Sequence, residues 1–310
     1  MSSGQELEAV VVDLARRLRE VVLPGLGSHA GRAHVGGGGA GGDVTFAIDE
    51  QAERTLAQRA PHVASYTEDR GLTMPAGGAG HVVIVDPIDG TRPAMAGFEA
   101  ACVSIALAPL GDGEPTMGDV ELGVIVEIKS GATFVARRGR GLEAGVPARP
   151  SPNEDVSRMF WVYGLRGRPV RLYAEVLGDL LDASSVGGGT FDLGAATFDM
   201  TRVATGQLDA YVEPGPLVVE RVPWARAEFE RVGGGSVLNN APYDLAAAVL
   251  CAEEAGAVVT DAAGRPLAGR PLLGSGPDFQ MSVIAAGNAR LHARLVDAVA
   301  AGVDRLGKSR

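Results

Sequence analysis

The decisive stretch of the sequence reads Val82-Val83-Ile84-Val85-Asp86-Pro87-Ile88-Asp89-Gly90-Thr91. Four consecutive β-branched apolar residues predict a short buried strand, and two carboxylates that flank a proline follow it directly. Because proline fixes its own φ and keeps the preceding residue out of the helical region, Asp86 and Asp89 are predicted to lie on a rigid bend. Carboxylates within about 6 Å of each other repel unless a cation or proton lies between them, so the pattern is typical of a site for a hard divalent cation. Gly90 and Thr91 then offer backbone N–H groups to an anion.

This stretch resembles the Asp-Pro-Ile-Asp-Gly-Thr signature of the inositol monophosphatase family, within the fructose-bisphosphatase-like superfamily of Mg²⁺-dependent, lithium-sensitive phosphatases. Further segments resemble other motifs of the family in the same order. They are Asp43-Val44-Thr45 with Asp49 and Ala52-Glu53, Tyr66-Thr67-Glu68-Asp69, Gly194-Ala195-Ala196 with Asp199, residues 203–209, and residues 243–248 with 254–257. The resemblance spans nearly the whole chain. It implies a five-layer αβαβα sandwich, the fold of inositol monophosphatase and fructose-1,6-bisphosphatase.

The resemblance also implies a phosphomonoesterase site that holds two or three Mg²⁺ ions and is inhibited by lithium. The implied metal ligands are the carboxylates of Glu68, Asp86, Asp89 and Asp244 and the carbonyl of Ile88. The implied catalytic residues are Asp49 and Thr91, which would orient a metal-bound water, and Glu68. The implied substrate-binding residues are Gly90, Thr91, Arg92 and Glu213. Two metal ions can activate a water and clamp the phosphoryl oxygens, so no protein nucleophile is needed.

Two of these acids have a simpler interpretation when they are considered alone. Asp49 falls near the start of a predicted helix, where the helix dipole favours negative charge, and Asp244 opens another helix, where an acid usually caps free N–H groups. The resemblance shifts the interpretation of both towards function.

Length and composition are those of an ordinary globular protein of 310 residues with 46% hydrophobic content. The proline-rich segment 147–153 predicts a boundary between an N-terminal α+β half, residues 1–150, and a C-terminal α/β half, residues 151–310. Apolar patterning predicts helices at 5–22, 170–181, 193–205, 244–255 and from 288, and strands at 101–110, 120–128, 132–136, 159–163, 208–212, 258–261 and 282–286. Residues 25–42 are glycine-rich and predict a loop, after which Asp43 or Thr45 would cap the next helix.

Charge and apolar content exclude several classes of partner. A net charge of −10 argues against binding a nucleic acid polymer, which needs a basic face. The chain has no run of about 18 apolar residues and no basic-then-apolar N-terminus, so we expect neither membrane insertion nor secretion, and a cytoplasmic location. Cys102 and Cys251 lie in apolar segments and are predicted to be buried free thiols. The expected partner is a small phosphate ester, and a homodimer is possible because dimers are common in the family.

Two alternatives stay open at this point. Haloacid-dehalogenase-like phosphatases carry Asp-x-Asp-Gly-Thr after a strand, but here two residues separate the acids, which breaks the alternation that would point both the same way. A homologue without catalytic activity could instead act by binding or assembly. The sequence also does not separate inositol phosphate, fructose bisphosphate, histidinol phosphate and 3′-phosphoadenosine phosphate as substrates.

Departures from the family pattern concern substrate recognition. The usual Asn-Phe after Gly-Thr is Arg92-Pro93, and an arginine that usually precedes the Gly-Ser-Ala-Ala helix is replaced by residues 187–191. Residues 214–242 form an insertion that carries Arg221, Arg226 and Arg231. We predict that this insertion covers the site and sets specificity, with Arg92 or an inserted arginine contacting a phosphate or polyol. The alternative is an excursion on the surface.

Overall fold

The computed structural model describes residues 3–28, 32, 47–59, 62–111 and 113–309. Its helices are α1 Ser3–Val22, α2 Ala47–Arg59, α3 Thr91–Ala96, α4 Val170–Ala183, α5 Ala196–Ala204, α6 Gly215–Arg221, α7 Ala225–Val232, α8 Pro242–Glu254 and α9 Ala289–Lys308. Its strands are β1 Ala64–Thr67, β2 Gly71–Thr73, β3 His81–Asp89, β4 Cys102–Pro109, β5 Leu122–Glu127, β6 Thr133–Arg137, β7 Gly141–Ala144, β8 Phe160–Val162, β9 Gly189–Phe191, β10 Ala210–Glu213, β11 Val258–Thr260 and β12 Val283–Ala286.

The strands form two sheets. The first has the order β2-β1-β3-β4-β5-β6-β7, and it is antiparallel except where β1 runs parallel to β3. The strands predicted at 101–110, 120–128 and 132–136 are β4, β5 and β6, which form an antiparallel meander. The second sheet has the order β11-β12-β10-β8-β9, in which β8 runs parallel to both of its neighbours.

Strand β3 shows why the first sheet is covered on both faces. Side chains alternate along a strand, so Val82 and Ile84 enter one core while Val83 and Val85 enter another. All four are at most 1% exposed. A continuous run of β-branched residues suits a strand whose two faces are both buried.

Helices lie on both sides of each sheet. Helices α1 and α2 pack on the outer face of the first sheet, and α5 and α8 fill the space between the two sheets. Helices α4, α6, α7 and α9 cover the outer face of the second sheet. The layers run α-β-α-β-α, which confirms the five-layer sandwich predicted from the sequence.

Several local predictions can be compared with these elements. The long helices and the strands of the meander agree to within a few residues, while the short strands β1, β2, β7 and β9 and the inserted helices α6 and α7 were not predicted. Cys102 and Cys251 are buried free thiols, as expected. Asp43, Thr45 and most of the glycine-rich segment 25–42 lie outside the described residues. The chain passes from the first sheet to the second near residue 150, and the division into two domains stays a prediction.

No helix within the described residues combines the length and the apolar character needed to cross a bilayer.

Helix α9 crosses α4 closely at Gly302. A Cβ added at Gly302 would lie 2.1 Å from the carbonyl oxygen of Val176, whereas one added at Gly307 would find its nearest neighbour, Val222 Cγ2, at 3.9 Å. We expect Gly302→Ala to lower the free energy of unfolding by about 1–3 kcal/mol, because backbone atoms must move apart.

The matched control is Gly307→Ala on the same helix. It should leave the free energy of unfolding unchanged or raise it by up to about 1 kcal/mol, since alanine is the better helix former. Urea denaturation of both variants measures the difference. Equal effects of the two substitutions would contradict the close crossing.

Candidate active site

Three carboxylates meet where the first sheet faces the central helices. Asp86 and Asp89 end strand β3, and Asp244 lies in the first turn of α8. Each offers one oxygen, and these oxygens lie within 4.8 Å of one another. Asp89 is buried, while Asp86 and Asp244 are partly buried.

An irregularity in β3 brings Asp86 and Asp89 together. Asp86 pairs with Ser104 and Asp89 with Cys102, so three steps along β3 match two steps along β4. Residues three apart in a regular strand point to opposite faces. The extra residue in this bulge returns Asp89 to the side of Asp86.

A backbone amide holds each of the three carboxylates. The Ile88 N–H donates to Asp86 Oδ1 at 2.9 Å, and the Ala241 N–H donates to Asp244 Oδ2 at 2.6 Å. The Thr197 N–H, in the first turn of α5, donates to Asp89 Oδ2. Asp244 therefore both caps a backbone N–H at the start of α8, as predicted, and belongs to the acidic cluster.

The N-termini of α5 and α8 both point at this cluster. The Thr197 hydroxyl donates to the Asp244 carbonyl at 3.0 Å and so ties the two helix starts together. Helix N-termini carry partial positive charge, which favours the nearby carboxylates.

The carboxylates line an open cavity of about 70 Å³. It brings together nine of the ten residues that the sequence placed in the site. They are Asp49, Glu68, Asp86, Ile88, Asp89, Gly90, Thr91, Arg92 and Asp244. The cavity is also lined by Glu53, Asp69, Pro87, Arg166 and Gly194.

Thr91 and Asp49 are in contact inside this cavity. The Thr91 hydroxyl lies 3.1 Å from Asp49 Oδ1 and 3.1 Å from the Ile88 carbonyl oxygen, both of which accept hydrogen bonds from it. Asp49 comes from α2 in the outermost layer and Thr91 opens α3, so the sandwich itself brings the pair together.

The acids raise one another's pKa. Burial, and then the charges of Asp244 and Asp69, raise the pKa of Glu68 to about 8. Burial together with neighbouring acids, Asp244 in both cases, also raises the pKa of Asp86 and Asp89. Burial likewise raises the pKa of Asp244. Crowded carboxylates that resist ionisation are stabilised by a divalent cation, and oxygen ligands fit Mg²⁺ or a similar hard ion.

Arg166 was not predicted as a site residue. It lies in the loop between β8 and α4, and it lines the acidic cavity beside Asp244. The signal in the sequence was the segment Leu165-Arg166-Gly167-Arg168 directly after a predicted strand, since ligands often bind beyond the carboxyl ends of parallel strands.

The structure places Glu213 away from the lining of the acidic cavity, behind an ion pair. Its side chain is fully buried. One carboxylate oxygen accepts from Arg168 Nη2 at 2.6 Å, and the other accepts from the Tyr173 hydroxyl and from the Gly215 N–H. These contacts favour a structural role for Glu213 over the substrate contact expected from the sequence, which stays a prediction.

The insertion does not cover the site as predicted. Its helices α6 and α7 pack in the outer layer with α4 and α9, because their apolar residues, such as Leu217 and Phe229, complete that core. None of its three arginines lines the acidic cavity. Only the end of the insertion approaches the site, where Leu238 and Asn239 line a small neighbouring cavity with Glu68 and Asp244.

Comparison with known proteins agrees with this geometry. The profile described as "Inositol monophosphatase family" matches residues 3–303. A fructose-1,6-bisphosphatase/inositol-1-monophosphatase of Methanothermobacter thermautotrophicus is 26% identical over 302 residues, which cover 93% of this chain and 95% of that protein. The Nus factor SuhB of Vibrio cholerae is 27% identical over 230 residues, covering 72% and 73% of the two chains.

Solved structures share the fold. The extragenic suppressor protein suhB of Bartonella henselae superposes with a TM-score of 0.71 at 23% identity, covering 95% of this chain and 98% of that one. The Thermotoga maritima IMPase superposes with a TM-score of 0.67 at 22% identity, covering 96% and 98%.

The acidic cluster predicts opposite effects of one substitution with and without metal. Asp86→Asn keeps the oxygen that accepts from Ile88 N–H but removes one buried charge. Because the pKa of Asp86 is raised in the folded protein, ionisation of this carboxyl lowers the free energy of unfolding further as pH rises. The effect of the substitution is therefore measured at pH 8.5. Without divalent ions we expect Asp86→Asn to raise the free energy of unfolding by about 0.5–2 kcal/mol.

With excess Mg²⁺ the wild type should become more stable than Asp86→Asn. The wild type gains about 2.7 kcal/mol at a hundred times its dissociation constant, and the variant gains less because it has lost a ligand. Asp297→Asn, at an exposed position on α9, is the matched control and should show neither effect. Thermal unfolding with EDTA and with Mg²⁺ decides, and an Asp86→Asn variant that Mg²⁺ stabilises as much as the wild type contradicts the metal site.

Proposed function

The chain belongs to the inositol monophosphatase family, and we propose that it hydrolyses a small phosphate monoester with the help of Mg²⁺. The observation that carries this proposal is the convergence of Asp86, Asp89 and Asp244 within 4.8 Å beside the Asp49–Thr91 pair. Family membership removes the haloacid-dehalogenase-like alternative.

The metal ligands proposed are the carboxylates of Asp86, Asp89, Asp244 and Glu68 and the carbonyl oxygen of Ile88. All five residues line one cavity, and carboxylate and carbonyl oxygens are the ligands that Mg²⁺ prefers. When bound, the metal would lower the pKa of water and offset the charge of the phosphoryl oxygens. Two or three ions, and inhibition by lithium, stay predictions.

Thr91 and Asp49 would position the attacking water. Because the Thr91 hydroxyl points its hydrogen at Asp49 Oδ1 and the Ile88 carbonyl, its oxygen can accept a hydrogen bond from a water. Such a contact fixes the direction of the water's lone pair. Positioning of this kind can lower the activation free energy by several kcal/mol.

The turn after Asp89 would hold the phosphate. The left-handed backbone of Gly90, with φ of 88°, turns the chain into α3. A Cβ at Gly90 would lie 2.4 Å from the Ala100 carbonyl oxygen, so only glycine fits. The amides of Gly90 and Thr91 are proposed to donate to phosphoryl oxygens, and the exposed Arg92 would contact the phosphate at the mouth of the cavity.

A second candidate function follows from the relatives. Proteins named Nus factor SuhB also match this chain, over 72% of its length, so a role in binding or assembly stays open. A cytoplasmic location and a homodimer also stay predictions.

Phosphate release from a panel of esters tests the proposal. The panel holds inositol 1-phosphate, fructose 1,6-bisphosphate, histidinol phosphate and 3′-phosphoadenosine 5′-phosphate, each with Mg²⁺ and with EDTA. We expect turnover of at least one ester that requires Mg²⁺. Asp89→Asn should reduce it by more than about 100-fold, since even outer partners of metal ligands account for 10–100-fold.

Asp297→Asn again serves as the matched control and should keep full activity. Turnover that survives in Asp89→Asn would contradict the assignment of the site. Mg²⁺ binding without turnover of any ester would favour the binding or assembly role.

A further inference from the structure

Arg166 lies at the meeting point of three cavities. It lines the acidic cavity of about 70 Å³ and two smaller ones of about 30 and 20 Å³, and Asp244 lines all three with it. Arg92, the other arginine of the acidic cavity, is exposed at its mouth near Asp49 and Glu68. The two guanidinium groups therefore approach the carboxylates from different sides.

A buried ion pair fixes the loop that carries Arg166. The Arg168 N–H donates to the Leu165 carbonyl at 3.0 Å, and Arg168 Nη1 donates to the Arg166 carbonyl at 2.6 Å. Arg168 Nη2 donates to Glu213 at 2.6 Å, and these two side chains are 4% and 0% exposed. These bonds anchor the backbone from which the Arg166 side chain extends, which reduces the entropy that the loop loses on binding.

The Glu213 carboxylate is occupied by this arrangement. Three donors, Arg168, Tyr173 and the Gly215 amide, bind its two oxygens. The side chain is also fully buried and outside the lining of the acidic cavity, so it does not face the hydroxyl groups of a polyol bound there. On this side, the cationic side chain that lines the acidic cavity is Arg166, which only donates hydrogen bonds, and the 30 Å³ cavity beyond it is also lined by Asp192 and Asp199.

The 30 Å³ cavity contains polar atoms that lack partners. Among the described residues that line it, the buried Arg168 Nε and Asp199 Oδ1 have no hydrogen-bond partner. Their side chains are 4% and 2% exposed. Buried polar atoms without partners are costly, and this cavity is large enough for a water or a ligand oxygen. Arg168 Nε needs an acceptor there, whereas Asp199 Oδ1 needs a donor, which a water or a hydroxyl group supplies.

We propose that Arg166 is a specificity-determining residue that binds a second anionic group, phosphoryl or carboxylate, on the alcohol part of the substrate. The inference rests on the proposed function and narrows it: the preferred ester carries two anionic groups and is not the phosphate of a neutral polyol. A guanidinium can bind either anion through two parallel hydrogen bonds.

Three phosphonates that cannot be hydrolysed test the proposal: propylphosphonate, propane-1,3-bisphosphonate and 4-phosphonobutanoate. They differ only in the second group. Calorimetric titration of the Mg²⁺-saturated wild type should show at least one of the two doubly anionic compounds binding about 10- to 100-fold more tightly than propylphosphonate. Whichever compound has the advantage identifies the second group as phosphoryl or carboxylate.

Arg166→Gln should weaken binding of the preferred doubly anionic compound at least 10-fold more than it weakens binding of propylphosphonate, and so remove most of the preference. The matched control is Arg226→Gln, which should keep the preference. Arg226 lies in α7, where it pairs with Glu230. Arg166→Lys keeps a positive charge and so serves if the glutamine variant does not fold. It should lower the preference, because an ammonium cannot form the two parallel bonds.

Three results would overturn the inference. The first is equal affinity of the wild type for all three compounds, and the second is a preference that persists in Arg166→Gln or is undiminished in Arg166→Lys. The third is an equal loss of affinity for all three compounds in Arg166→Gln. The last result would mean that Arg166 only balances the charge of the acids. A protein that shows the preference but releases no phosphate from any ester keeps this inference and loses the proposed function. Equal kcat/KM values for esters with and without the second anionic group would keep the proposed function and overturn this inference.

Discussion

The repulsion among Asp86, Asp89 and Asp244 is the constraint on which the rest of the structure depends. Oxygens of three carboxylates within 4.8 Å, in a partly buried site, oppose folding unless positive charge is supplied. The protein supplies part of it through one backbone amide per carboxylate and through two helix N-termini. These contacts orient the acids, and the charges of Arg166 and Arg168 act on Asp244, but the pKa values of all three carboxyls stay raised, which is the condition that a divalent cation relieves.

The sandwich is the means by which these groups meet. The acids come from a strand of the first sheet and from a helix of the central layer, and the Thr197 hydroxyl joins α5 to α8 between the sheets. Asp49 reaches the site from the outer helical layer, and Arg166 reaches it from the loop after β8 of the second sheet. No single half of the chain contains the site, so the packing of the layers determines its geometry.

The sequence predicted those parts of the structure that depend on local chemistry. A β-branched run followed by Asp-Pro-Ile-Asp-Gly-Thr identified the buried strand, the turn at Gly90 and two of the three clustered carboxylates, and the resemblance of other segments to the family supplied Asp49, Glu68 and Asp244. Strand alternation alone would have separated Asp86 from Asp89, and the bulge that unites them depends on pairing with β4, which the sequence of β3 does not reveal. Arg166 and Glu213 depend on contacts across the second sheet. The insertion was predicted over the site because its arginines suggested phosphate binding, but the apolar faces of α6 and α7 place it in the outer layer.

We propose that the three carboxylates form a divalent cation site. Anomalous diffraction from crystals soaked in Mn²⁺, which replaces Mg²⁺ in oxygen sites, tests it most directly. We expect an anomalous peak about 2.0–2.3 Å from oxygens of Asp86, Asp89 and Asp244. Crystals that show Mn²⁺ peaks elsewhere on the protein and none at these carboxylates would contradict it.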